Sequence, residues 1–198
     1  MSTKELKNIF LSASVPLPER DPKYIETADI IAIRDAIIAL VTAVLPYHRI
    51  IWGGHPSITP LIYYVMEKLN LNIQNHVTLY QSLFFKEKFP ADNNKFENIV
   101  FTENRGDIHS SIQFMRKEMI YENDFSAAVF IGGMDGIEVE YNMFREKHSE
   151  ALILPIASTG AATKIVYDTI YPKELKNERF EKDYGYMSLF QKFLIDKI

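Results

Sequence analysis

Short apolar runs alternate with stretches of helical periodicity along the whole chain, and that alternation is what most restricts its fold. The runs are 9–15 (IFLSASV), 48–54 (HRIIWGG), 76–82 (HVTLYQS), 97–103 (ENIVFTE), 127–131 (AAVFI) and 151–158 (ALILPIAS). Strands separated by amphipathic helices cannot pair as hairpins, so they assemble into a mostly parallel sheet with helices packed on it, an α/β sandwich. Helices are expected over 27–45, 57–70, 107–119, 136–148, 159–170 and 186–197. The first has Thr27 as its cap, Asp29 in its first turn, a stripe of Ile30, Ile33, Ile37, Leu40 and Val44, and Pro46 as its stop. Asp107 caps the fourth strand's successor, whose stripe is Ile108, Ile112, Met115 and Met119. Residues 83–97 read as loop with a short helix, and a Pro-rich loop through Pro16, Pro18 and Pro22 follows the first strand.

At 198 residues the chain suits one domain spanning 1–198 with a full core, and no low-complexity tract or repeat divides it. It contains no cysteine, so disulfides and thiolate metal sites are excluded, in keeping with a cytoplasmic location. The five histidines show no metal-ligand spacing, so no metal and no cofactor is expected. The apolar run at 36–45 is too short to span a bilayer. A net charge of −4 argues against nucleic acid and anionic lipid as partners and favours a small ligand.

In an open parallel sheet, ligands gather where the strands end and helices begin. Four such ends carry small residues: Ser12 to Ser14, Gly53 to Thr59, Gly132 to Gly136, and Ser158 to Ala161. The most suggestive is 131–141, IGGMDGIEVEY, where a strand breaks into glycines that open a helix. Unpaired amides at such a break, next to the positive end of a helix dipole, favour anions. The bland reading is a tight turn that only packs, with Asp135 and Glu138 as ordinary N-terminal helix charges. Glu140 is different. Ile137, Tyr141 and Phe144 define the buried stripe, which leaves the Glu140 carboxylate at its flank near the strand ends. Arg116 borders the Ile112 and Met119 stripe and is either a surface arginine or a cleft residue suited to phosphate or to Glu140. His55, after Gly53 and Gly54, is either a loop cap or a site residue. Trp52 is expected in the core.

These residues resemble the SLOG superfamily, named for the Smf/DprA DNA-processing proteins and the LONELY GUY cytokinin-activating enzymes. LONELY GUY enzymes carry MHxRKxxM and then PGGxGTxxE. Here FMRKEM (114–119) supplies Arg116 and Lys117, and the interval from Arg116 to Gly132 has the family length. Gly132 and Gly133 match the paired glycines, Gly136 the third, Glu140 the motif glutamate, and 52–62 (WGGHPSITPLI) the other glycine-rich turn. Ile131 replaces the motif proline, GGMDG is one residue longer than GGxG, Ile137 replaces the phosphate-binding threonine, and the histidine before the RK pair is missing. The pattern is similar to SLOG domains of bacterial conflict systems, including the ligand-sensing part of Thoeris-type antiphage effectors.

That resemblance implies a Rossmann-like three-layer sandwich that binds a nucleotide-derived small molecule, ADP-ribose or a cyclic ADP-ribose-like signal, as a sensor or sequestering domain in antiphage defence. The implied ligand-binding set is Ser12, Ser14, Gly53, Gly54, His55, Ser57, Arg116, Gly132, Gly133, Met134, Asp135, Gly136, Glu138, Glu140, Ser158, Thr159 and Gly160. The alternative it implies is a phosphoribohydrolase cleaving a nucleotide N-glycosidic bond, with Glu140 and Arg116 catalytic. It also implies a homo-oligomer, with the helix from Thr27 and the C-terminal helix bearing Tyr186, Phe190 and Phe193 as candidate surfaces, and an effector or signal-producing partner.

Overall fold

The computed structural model describes residues 6–69 and 74–198. Among these described residues six strands form one sheet, β1 (Asn8–Ser14), β2 (Arg49–Trp52), β3 (Val77–Ser82), β4 (Ile99–Thr102), β5 (Ala127–Gly132) and β6 (Leu152–Ile156), in the order β4-β3-β2-β1-β5-β6. Every pairing is parallel, so the sheet is parallel throughout. Parallel strands need crossovers, and the crossovers here are the helices the apolar periodicity predicts.

The helices are α1 (Pro22–Ile25), α2 (Ile30–Val44), α3 (Thr59–Leu69), α4 (Ile108–Tyr121), α5 (Asp135–Lys147), α6 (Ala161–Thr169), α7 (Glu178–Lys182) and α8 (Tyr186–Phe190). On one face, α2 packs against α3 and α8; on the other, α4 packs against α5, which lies beside α6. The result is a three-layer Rossmann-like α/β sandwich.

Several local expectations are corrected. Asp29, not Thr27, caps α2, its carboxylate accepting the Ala32 N–H at 2.9 Å. Ile30 is exposed because the helix begins there, while Ile33, Ile37, Leu40 and Val44 are buried. The helix expected at 57–70 runs Thr59–Leu69, and Asn70 lies outside the described residues. The ambiguous stretch after β3 forms two 3-10 helices, Leu83–Lys88 and Ala91–Lys95. Asp21 followed by Pro22 is an N-cap and first-turn signature that starts the short α1 inside the Pro-rich loop. The C-terminal helix ends as α8 and continues in one wider π turn, Gln191–Ile195.

Tyr186 and Phe190 are buried against α2's layer, so they serve the core and not an outer surface. Trp52 is buried as expected. The strand order reverses between β1 and β5: β1 leads outward through β2 to β4, and the chain then returns to place β5 on β1's other side. Their exit loops therefore diverge to opposite faces and leave a crevice above the strand ends.

Candidate functional site

Two aromatic contacts set the rotation of α5 over that crevice. Phe144 stacks on Phe10 of β1 at 5.5 Å, and Tyr141 meets Phe130 of β5 edge-on at 5.5 Å. With Ile137, Tyr141 and Phe144 turned to the sheet, the preceding residue, Glu140, is carried to the side where β1 ends. Its Oε2 accepts the Ser12 hydroxyl at 2.5 Å and its Oε1 accepts Arg116 Nε at 2.9 Å. The Arg116 and Glu140 side chains are only 14% and 16% exposed.

Arg116 reaches the crevice because α4 lies beside α5. Its guanidinium crosses the first turn of α5 at Gly136, where a Cβ would stand 2.7 Å from Nη2. Gly136 thus supplies space for Arg116. Among the described residues the hydrogen bond that holds Arg116 is made by Nε, while Nη2 packs against Gly136. The guanidinium is held in place by one edge and presents the other.

The glycines before α5 behave differently from expectation. Gly132 and Gly133 both have positive φ, 58° and 80°, which turns the chain out of the strand. Their amides are taken: Gly132 N–H donates to Thr159 Oγ1 at 2.9 Å and Gly133 N–H to the Ser14 carbonyl at 2.8 Å. The expected unpaired amides are therefore not at the glycine pair. The first turn of α5 follows directly, and Met134 at its N-cap supplies no side-chain hydrogen bond to it.

The β6 end is likewise engaged. Thr159 Oγ1 donates to the Ile156 carbonyl, Ser158 Oγ pairs with the Tyr186 hydroxyl at 3.0 Å, and the Thr27 backbone lies directly over Gly160. Burial pushes the Tyr186 hydroxyl up to about 12 despite the Ser158 bond. Ser158, Thr159 and Gly160 thus sit beneath the loop that follows β1, as supports for it. Thr27 Oγ1 accepts the Ala161 N–H at 2.9 Å and the Asp29 N–H donates to the Thr159 carbonyl. Thr27 caps α6 instead of its own helix.

That loop, residues 15–29, forms a strap from β1 to α2. Tyr24, nearly fully buried, donates its hydroxyl to Glu138 Oε1 at 2.6 Å, and Arg20 lies 3.8 Å from the exposed Asp135 carboxylate. Burial, then the hydrogen bond to Glu138, raises the Tyr24 hydroxyl above its ordinary value. The sequence reading missed Tyr24 and Arg20 because proline-rich loops carry no periodicity; the Asp21-Pro22 helix start was the available signal.

At the β2 end, Gly53 faces the Met115 and Met119 methyl groups of α4, and the Gly54 carbonyl accepts from Gln81. His55 Nδ1 accepts the Ser57 N–H at 3.3 Å and lies 2.8 Å from Ser57 Oγ, which itself accepts Val15 N–H. An Nδ1 that accepts a backbone N–H carries no proton, so the neutral ring keeps its hydrogen on Nε2. Burial, and secondarily the Arg20 charge, lowers the His55 pKa and favours that form.

An open hollow of about 320 Å³ lies elsewhere, near Arg49, Asn75, Thr78 and Glu97 at the N-terminal ends of β2 to β4. Arg49 there is already bonded to the Asn75 carbonyl and to Asn8. No group of three histidines or acids among the described residues is placed to hold a metal. No helix among them is long and apolar enough to cross a membrane.

A family model described as the SLOG cluster3 family matches residues 23–194. A search of curated proteins returns no match. Among solved structures, the fold is similar to the X-ray structure of TM1055, a structural genomics target, with a TM-score of 0.58 and 13% identity over 98% of this chain and 100% of that one. At that identity the likeness concerns the fold.

Proposed function

The chain belongs to the SLOG cluster3 family, and from that premise we propose that it binds a nucleotide-derived small molecule of the ADP-ribose or cyclic ADP-ribose type in the β1/β5 crevice, as a sensor or sequestering domain. The observation that carries the reading is the Ser12–Glu140–Arg116 chain, three residues from β1, α5 and α4 meeting at the point where strand order reverses. Arg116 offers a half-bonded guanidinium to a phosphate, and Glu140 keeps lone pairs for ribose hydroxyls. A role in antiphage defence, implied by the resemblance to SLOG domains of conflict systems, is part of the same proposal, and sensing then requires something to read the bound state: an effector, a signal-producing enzyme or a second copy of this chain.

The test is calorimetry and thermal shift with ADP-ribose, cyclic ADP-ribose isomers and AMP. Binding by one of them, lost in Gly136→Ala, whose methyl group displaces the Arg116 guanidinium, supports the reading. Silence with all of them sinks it. The same carboxylate supports a second reading, a nucleotide N-glycosidase in which Glu140 stabilises positive charge developing at the ribose. Free base released from AMP by the native chain and not by Glu140→Gln would favour that enzyme.

A further inference from the structure

We infer that Arg20, on the strap, is a second anion-binding residue of this site and makes it selective for two linked phosphates over one. The inference rests on the nucleotide-binding reading and names the ligand class within it.

Two guanidiniums reach consecutive residues of the first turn of α5 from different elements. Arg116, from α4, lies against Gly136; Arg20, from the strap, lies beside Asp135. Arg116 is fixed and takes the more enclosed phosphate. Arg20 is held only by a 3.8 Å contact between side chains 58% and 69% exposed, an interaction that solvent leaves weak. It is therefore free to exchange the Asp135 carboxylate for a phosphate oxygen. The strap beneath it is firm: the Tyr24–Glu138 bond and the Thr27–Ala161 cap anchor its far end, and the Val15 N–H bond to Ser57 anchors its near end.

The charges around this position are Arg20, Arg116, Asp135, Glu138 and Glu140, together with Lys23, which lies over the Tyr24 ring near Glu138 and pairs with Asp21, and neutral His55 is close enough to feel Arg20. Glu140 is already engaged by Arg116 and Ser12, and Glu138 by Tyr24. Asp135 is the carboxylate that competes with a ligand for Arg20. A monophosphate satisfied at Arg116 gains little from Arg20, whereas a diphosphate occupies both and displaces Asp135.

The experiment titrates the full chain with inorganic phosphate, inorganic pyrophosphate, AMP and ADP-ribose, comparing the native protein with Arg20→Ala and Asp135→Asn. Native protein is expected to bind pyrophosphate at least about tenfold more tightly than phosphate, the gain of one charge-assisted contact. Arg20→Ala should bring that ratio near one with phosphate binding unchanged, and Asp135→Asn should raise it. Both substitutions are at exposed positions, and unaltered thermal stability verifies their folding. A ratio unaffected by Arg20→Ala, or no pyrophosphate binding by native protein, overturns the inference. Binding of ADP-ribose without dependence on Arg20 overturns it while sparing the nucleotide reading. Pyrophosphate selectivity that depends on Arg20, with silence from every nucleotide, supports it and instead removes that reading.

Discussion

The Arg116–Glu140 pair should be energetically coupled, and a double-mutant cycle with Glu140→Gln and Arg116→Met measures by how much. Two unit charges about 4 Å apart attract by about 1 kcal/mol in bulk water and about 4 kcal/mol at an effective dielectric near 20. With side chains 14% and 16% exposed, this pair lies between those limits, and the net coupling should be about 2 kcal/mol. Glutamine keeps an acceptor for Arg116 Nε and a donor for Ser12 Oγ, so the substitution isolates the charge. Methionine retains the length of the arginine's apolar stem without its charge. Urea unfolding of the four proteins gives the coupling. Because the pair is largely shielded, the coupling should persist in high salt, unlike that of the exposed Lys182–Glu178 pair. Additivity within about 0.5 kcal/mol would show that the two side chains do not act as a unit, and the site argument would lose its centre.

Gly160 adopts φ 70°, ψ −153°, a conformation essentially reserved for glycine, and any Cβ there runs into the Thr27 carbonyl oxygen. Gly160→Ala should therefore cost about 3 kcal/mol and lower Tm by about 6–12 °C, with faster hydrogen exchange at the Asp29 and Ala161 amides; a Tm within about 2 °C of native would contradict this. His55 has a folded-state pKa below that of the unfolded chain, so its contribution to stability is intact above pH 6.5 and is lost as pH falls through the lowered value. Between about pH 7 and 5 the native protein should lose up to about 1.4 kcal/mol more per pH unit than His55→Asn, and parallel curves would refute the neutral-ring assignment.

Element type was legible from sequence because it depends on local periodicity and caps. The stripe of α5 and the Asp107 cap of α4 needed no distant partner, and the flank position of Glu140 followed from counting around one helix. Gly136 illustrates the intermediate case. Its place in the turn was visible, while its purpose, room for a guanidinium from the neighbouring helix, was not.

What one sequence determined was the alternation of strands and helices and the parallel sandwich; it left Arg116 open between the surface, a phosphate and Glu140, and the fold chose Glu140. Tertiary structure alone decided which amides were spent and which groups lay under the strap. Thr159 took the Gly132 amide, Thr27 capped a helix 134 residues away, and Tyr24 reached Glu138 across 114 residues. The physical reason is that a hydrogen-bonding group chooses its partner by spatial proximity, and strand order sets proximity. The reversal between β1 and β5 brings the first loop of the chain against its last strand-to-helix turns, a meeting no local pattern encodes.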